Sequence, residues 1–205
     1  MNNIKLTLVA SIIFVSVIFI ILPFDTKADM ISASDSSEII ELLKERNREI
    51  KEQLGPEGTD YTESQRKKLK DIINGIIDYR AMASYALANT WDTLSTEKKQ
   101  EFTDVFSEVV RNQSLNKLDI YRAQISYKNV DVSGDSAHVE TMAILDNVRT
   151  PVYYTMRNDN GVWIIEDFSI DEVSTAKSYR RSFQNIIKRK GYQALYNSLE
   201  KKVNT

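Results

Sequence analysis

Covalent chemistry needs a nucleophile, an acid–base pair or a metal, and this chain offers few candidates for any of them. Its 205 residues include one histidine, His138, and no cysteine. Thiol nucleophiles and thiolate metal sites are excluded, and a single imidazole cannot supply the several His or Cys ligands of a typical zinc site. His138 has Asp135 near it in sequence, with Glu140 and Met142 next along the same strand. A Ser-His-Asp arrangement could use it, but no Gly-x-Ser-x-Gly elbow is present to expose a serine. The plainer reading is a strand histidine at a rim or surface position.

Carboxylates are more plentiful. Glu166 and Asp167 are adjacent in a strand pattern, so they point to opposite faces and cannot flank one bond as a glycosidase pair would. Asp167 is the one expected to be partly buried and hydrogen-bonded to structure. Asp131 and Asp135 flank a turn, where aspartate has a local role. Asn158-Asp159-Asn160-Gly161 resembles the opening of a calcium loop but lacks the later Glu at the required spacing, and a hairpin explains it better. Six glycines in the whole chain leave no phosphate-cradling loop. The residues point away from an enzyme, and they call for no cofactor and no metal.

The elements that carry these residues fall into three blocks. From Ser37 the positions Ile39, Ile40, Leu42, Leu43, Ile50 and Leu54 have helical spacing, after a polar stretch 29–36 expected to be loose. Gly55-Pro56-Glu57-Gly58 ends that helix. Thr62-x-x-Gln65 has the form of a capping box and starts a second helix. Its apolar positions run through Leu69, Ile72, Ile73, Ile76, Ile77, Met82, Tyr85 and Ala86, and Asp78-Tyr79-Arg80-Ala81 is a possible dividing point. Trp91-Asp92-Thr93-Leu94-Ser95 reads as a link, with Ser95 or Thr96 capping a third helix that turns Phe102, Val105, Phe106, Val109, Val110, Leu115 and Leu118 to one side.

At Tyr121 the period changes to alternation. Four strands are predicted, about 125–132, 137–145, 151–157 and 162–170, joined by turns at Ser133-Gly134-Asp135 and Asn158-Asp159-Asn160-Gly161. Two helices follow, about 174–189 and 192–202, with Gly191 between them. The fold class is α+β, with helices first, then an antiparallel meander of four strands, then helices packing back over it.

The start of the chain reads as an export signal. Lys5 is the positive n-region, Leu6 to Leu22 an apolar core, and Thr26-Lys27-Ala28 a cleavage site with small residues at both key positions. That run is also near the lower length for a membrane span, so a retained anchor is the alternative. The expected organisation is a signal over 1–28 and a single domain over 29–205, in the periplasm. The net charge of −2 conceals an asymmetry: from Ala176 onward eight Lys or Arg residues face one Glu. That suggests an oriented contact with an anionic surface, or simply the solvated face of terminal helices. Tyr179, Phe183, Tyr192 and Tyr196 among them fall at helical spacing, which indicates packing rather than base stacking, and no nucleic-acid partner is expected.

The segment Trp163…Asp167…Val173-Ser174…Tyr179-Arg180…Phe183, then Gly191 and Leu195, resembles the MlaC family of periplasmic phospholipid carriers. Trp91-x-x-Leu94-Ser95 with Phe106, Thr150-Pro151-Val152-Tyr153-Tyr154, and Gly161-Val162-Trp163 agree with the same family. Asp171-Glu172 departs from it, since the family has Glu-Gly before Val-Ser, and the lost glycine suggests a different turn.

The resemblance implies a carrier that buries phospholipid acyl chains in an apolar cavity. It would exchange lipid with an inner-membrane ABC complex through its MCE-domain protein and with an outer-membrane lipoprotein–porin partner, acting as a monomer in maintaining outer-membrane lipid asymmetry. Two acyl chains hold about thirty methylenes, so their exposure to water would cost roughly 20–25 kcal/mol. Burial of both tails is therefore required, while the head group can stay in water. On the resemblance and the apolar faces, the expected lining is Met82, Tyr85, Ala86, Phe106, Val109, Val139, Thr141, Val152, Tyr154, Met156, Val173, Tyr179 and Phe183. Composition leaves a solid core equally open for the same faces. A carrier of another apolar lipid such as a hopanoid, and an adaptor of the same transport system that binds no lipid, are the alternatives.

Overall fold

The computed structural model describes residues 26–58, 60–115 and 118–204. Residues 1–25 of the expected export segment lie outside the described residues, and the expected cleavage point falls in the first turn of a helix. That helix, α1 (Thr26–Leu54), includes the stretch 29–36 expected to be loose. No Gly or Pro interrupts the segment, and the Ser and Asp residues there cost only a few tenths of a kcal/mol each in a helix, up to ~0.7.

The capping box at Thr62 is formed. Gln65 N donates to Thr62 Oγ1 at 3.2 Å and Thr62 N donates to Gln65 Oε1 at 3.0 Å, which starts α2 (Glu63–Asn74). The chain then divides where Asp78 allowed it to. Ile77 forms an isolated parallel bridge with Ile165, and Asp78 caps α3 (Tyr79–Leu87) by accepting from Ala81 N at 2.8 Å. Trp91, expected in a link, sits in a short helix α4 (Asn89–Asp92) entered through Ala88 at φ 50°. Ser95 caps α5 (Thr96–Leu115), and a 3-10 turn (Leu118–Arg122) leads into the sheet.

The sheet is an antiparallel meander in the order β1-β2-β3-β4-β5: Gln124–Ser133, Ser136–Leu145, Val148–Asp159, Val162–Ile170 and Val173–Ser174. Four strands were expected. The fifth is two residues long, too short to carry a periodic signal. It leads into α6 (Thr175–Lys190), and α7 (Tyr192–Val203) follows Gly191. Asp167 has the structural role its position suggested. Its carboxylate accepts from Ser174 Oγ at 2.5 Å and from Ala176 N at 2.9 Å, fixing the start of α6 to β4.

The turn at Asp171-Glu172 takes both residues left-handed, at φ 50° and 63°, as a two-residue hairpin between right-twisting strands requires. The missing glycine suggested a different turn; here Glu172 takes a left-handed backbone conformation that glycine favours, and holds it at a cost. Glu172→Gly is therefore expected to raise stability by up to about 1 kcal/mol, with a rise in Tm of ~2–4 °C by differential scanning calorimetry.

Three clusters of buried side chains hold the fold. The first joins α3, α4, α5, α6 and α7 through Met82, Ala86, Leu87, Trp91, Phe102, Phe106, Phe183 and Leu195. The second joins α1 to the sheet through Ile39, Leu43, Val139, Met156, Trp163 and Ile165. The third joins α1, α2 and the 3-10 turn through Ile50, Leu54, Leu69 and Leu118. Ile77 and Phe168 pack against both the first and the second. All the inward sheet residues lie on one face, which the helices cover.

Candidate functional site

The inward face of the sheet is a set of parallel rows, and burial falls from one row to the next. The row Val132–Ala137–Met156–Ile165 includes three buried residues under α1. The next, Val130–Val139–Tyr154–Phe168, keeps Val139 buried, while the other three retain accessible surface. In the third, Tyr127–Thr141–Val152–Ile170, only Thr141 is buried, and Ile170 is 41% exposed. Beyond it the face ends at Val148 on the β2–β3 turn, 63% exposed, while Val173, paired with Ile170, is 59% exposed. Ile120, on the 3-10 turn that leads to this end of β1, is exposed as well. Large apolar side chains of the inner face are thus left in solvent toward one end of the helix–sheet sandwich, while the inward row at the other end is largely buried.

Between the three clusters the inner walls are half-buried. Ile72, Ile73 and Leu115 edge the third cluster, Ile77 and Phe168 bridge the other two, and tyrosines enter from four elements: Tyr79 of α3, Tyr121 of the 3-10 turn, Tyr127 of β1 and Tyr154 of β3. Tyr79 is anchored, its hydroxyl donating to Asn74 Oδ1 at 2.6 Å. The buried Asn74 in turn donates to Lys70 O and Ser114 Oγ, so one amide ties α2, α3 and α5 together. Thr141 Oγ1 donates to Val152 O at 2.9 Å, which satisfies its buried hydroxyl.

The thirteen residues expected to line a cavity separate into three groups. Met82, Ala86, Phe106, Val109 and Phe183 are buried in the helical cluster, with Tyr179 packed on it. Val139, Thr141, Val152, Tyr154 and Met156 share the inner face of the sheet. Tyr85 and Val173 lie on the surface. Tyr85, 42% exposed, is covered by the Arg180 guanidinium 4.9 Å above its ring, and Val173 sits on the apolar rim. Six further half-buried residues lie beside these thirteen: Tyr127 and Phe168 share the inner face of the sheet by strand register, and Ile72, Ile73, Ile77 and Tyr121 pack at the edges of the clusters.

The chemistry-bearing candidates are not brought together. His138 is exposed on the opposite face of the sheet and stacks on Tyr153, centroids 5.9 Å apart at 11°. Glu166 accepts from Arg157 Nε at 2.8 Å, and Arg157 Nη2 reaches Asp78 Oδ2 at 2.9 Å, a structural tie between sheet and α3. Among the described residues no group of three His, Asp or Glu side chains is placed to hold a metal ion.

Burial pushes the Tyr121 and Tyr154 phenols up to about 12. In the unfolded chain they ionise near 10. The stability that these neutral phenols contribute is therefore intact below pH ~10 and is lost as pH rises from there through about 12. An alkaline titration is expected to show tyrosinate absorbance from the buried group appearing together with loss of near-ultraviolet dichroism. A large early rise at native dichroism would mean that these phenols are solvated.

The MlaC protein family model matches residues 37–201. Among solved structures, a phospholipid-binding protein from Ralstonia solanacearum in complex with a phospholipid is similar, with a TM-score of 0.64 at 16% sequence identity. The match covers 84% of this chain and 96% of that one, and at this identity it is a likeness of fold. No curated protein sequence matches.

Proposed function

The chain belongs to the MlaC protein family, and from that premise we propose that it is a periplasmic carrier holding the acyl chains of a phospholipid between its helices and the inner face of its sheet. The observation that carries this reading is the gradient along that face, from the largely buried row at Met156 to the exposed rim at Val148, Ile170 and Val173. Two acyl chains can slide into such a slot while the head group stays outside. The similar Ralstonia protein is in complex with a phospholipid, which supports a phospholipid as the cargo. The carrier is a single domain from about residue 29 onward, exported by the segment before it. It shuttles lipid between an inner-membrane MCE-domain complex and an outer-membrane partner, acts as a monomer and catalyses no reaction.

Native mass spectrometry of the protein expressed without residues 1–28, followed by solvent extraction, tests the reading. A stoichiometric lipid with two acyl chains is expected. An empty, folded protein that also refuses added phospholipid would overturn the proposal in favour of an adaptor. His138→Ala is expected to leave lipid uptake unchanged, because the imidazole lies on the far face of the sheet. A variant that folded but lost uptake would bring a catalytic or outer-face role back into consideration.

A further inference from the structure

The head group of a carried lipid can stay in water, yet two separate features meet at one position where protein groups can reach the polar end. The first is a groove of about 560 Å³ between α1 and the edge strand β1. Ile125 and Tyr127 give it an apolar floor that continues into the inner face of the sheet, where they pair with Ala143 and Thr141. Its wall carries Lys44, Asn47, Arg48 and Lys51, one stripe of α1, together with Glu52. Lys44 is paired with Glu41 at 2.9 Å, and Arg48 with Glu45 and Glu52 at 2.5 Å. These pairs are exposed, and such pairs exchange partners at little cost. Lys51 makes no ion pair among the described residues.

The second feature is a set of hydroxyls. Those of Tyr121, Tyr127 and Tyr154 donate to no protein acceptor among the described residues, although all three rings are tucked between elements. They are not sealed in either, since none is among the buried polar atoms left without a partner. Burial raises the Tyr121 and Tyr127 phenols, and Tyr154 lies near enough to both to add to the shift. Tyr127 belongs to both features, as its ring floors the groove and its strand faces the slot.

We infer that the α1–β1 groove seats the polar end of a diacyl glycerophospholipid, its phosphate against Lys51 and Asn47 and its ester carbonyls accepting hydrogen bonds from Tyr127, Tyr121 and Tyr154. The inference rests on the carrier reading and adds a specificity to it. A lipid whose chains are ether-linked has the same tails and phosphate but no carbonyl, so it leaves the three hydroxyls unsatisfied.

The test is transfer from vesicles to delipidated protein of dioleoyl phosphatidylglycerol and of its di-ether analogue, measured side by side. Wild-type protein is expected to prefer the ester lipid about tenfold, the effect of losing one to two hydrogen bonds to buried donors. Tyr127→Phe combined with Tyr154→Phe should bring the ratio close to one without weakening ether-lipid uptake. Lys51→Glu should weaken uptake of both lipids several-fold. Equal uptake of the two lipids by wild type, or a preference unchanged in the double variant, overturns the ester contacts alone. Lys51→Glu without effect overturns the phosphate placement. Failure of wild type to take up either lipid removes the carrier reading and this inference with it.

Discussion

Val152→Trp is expected to cut the phospholipid retained per folded molecule by more than about tenfold while leaving the fold intact. Val152 stands in the third inner row, between buried Thr141 and exposed Ile170, and keeps accessible surface of its own. An indole there must occupy space that an acyl chain would otherwise fill. Displacing two methylenes costs ~1.6 kcal/mol of burial, which is slightly more than tenfold in affinity. Quantitative extraction of lipid from wild type and variant, normalised to folded protein by circular dichroism, measures it. The same substitution discriminates a slot from a solid core. In a solid core the indole has no room, and overpacking would lower stability by about 1–3 kcal/mol. Unchanged lipid content together with a lowered Tm would place the cargo elsewhere.

The elements were largely legible because each carries its own local signal. Thr62 and Gln65 spell a capping box, Ser174 stands at an N-cap, Gly191 at φ 82° separates two helices, and Asn160-Gly161 turns a hairpin with both residues left-handed. What fixes a boundary is harder to read where the deciding contact is distant in sequence. Asp78-Tyr79-Arg80-Ala81 offered the break between α2 and α3, but the contacts that hold it, the pairing of Ile77 with Ile165 and the grip of Arg157 on the Asp78 carboxylate, come from far along the chain.

The candidate site was less legible still. Alternation along 137–145 and 151–157 placed Val139, Thr141, Val152, Tyr154 and Met156 on one face, and they share it. It could not show that burial decays along that face, because that depends on where α1 crosses the sheet. Lys44, Arg48 and Lys51 read as the solvated side of an amphipathic helix, which they also are. Only the proximity of β1 turns that side into one wall of a groove.

Phe106→Ala is expected to destabilise the protein by ~3–5 kcal/mol, the usual cost of emptying an aromatic site in a packed core. For a domain of this size that corresponds to a fall in Tm of roughly 6–20 °C. Phe106 is fully buried, and its ring meets Tyr179 edge-on at 4.9 Å, Phe183 at 5.6 Å and Phe102 at 6.1 Å. Aromatic partners therefore reach it from α6 and from its own helix, and the ring links α5 to the basic α6 that follows the sheet. Such a ring is a structural contact in both the loaded and the empty protein, so calorimetry should find the same loss before and after delipidation. A loss confined to the loaded protein would instead make Phe106 a direct contact of the acyl chains. In that case the slot would continue past Ile77 and Phe168 into the helical cluster, where Met82, Ala86 and Phe183 would meet the lipid as well.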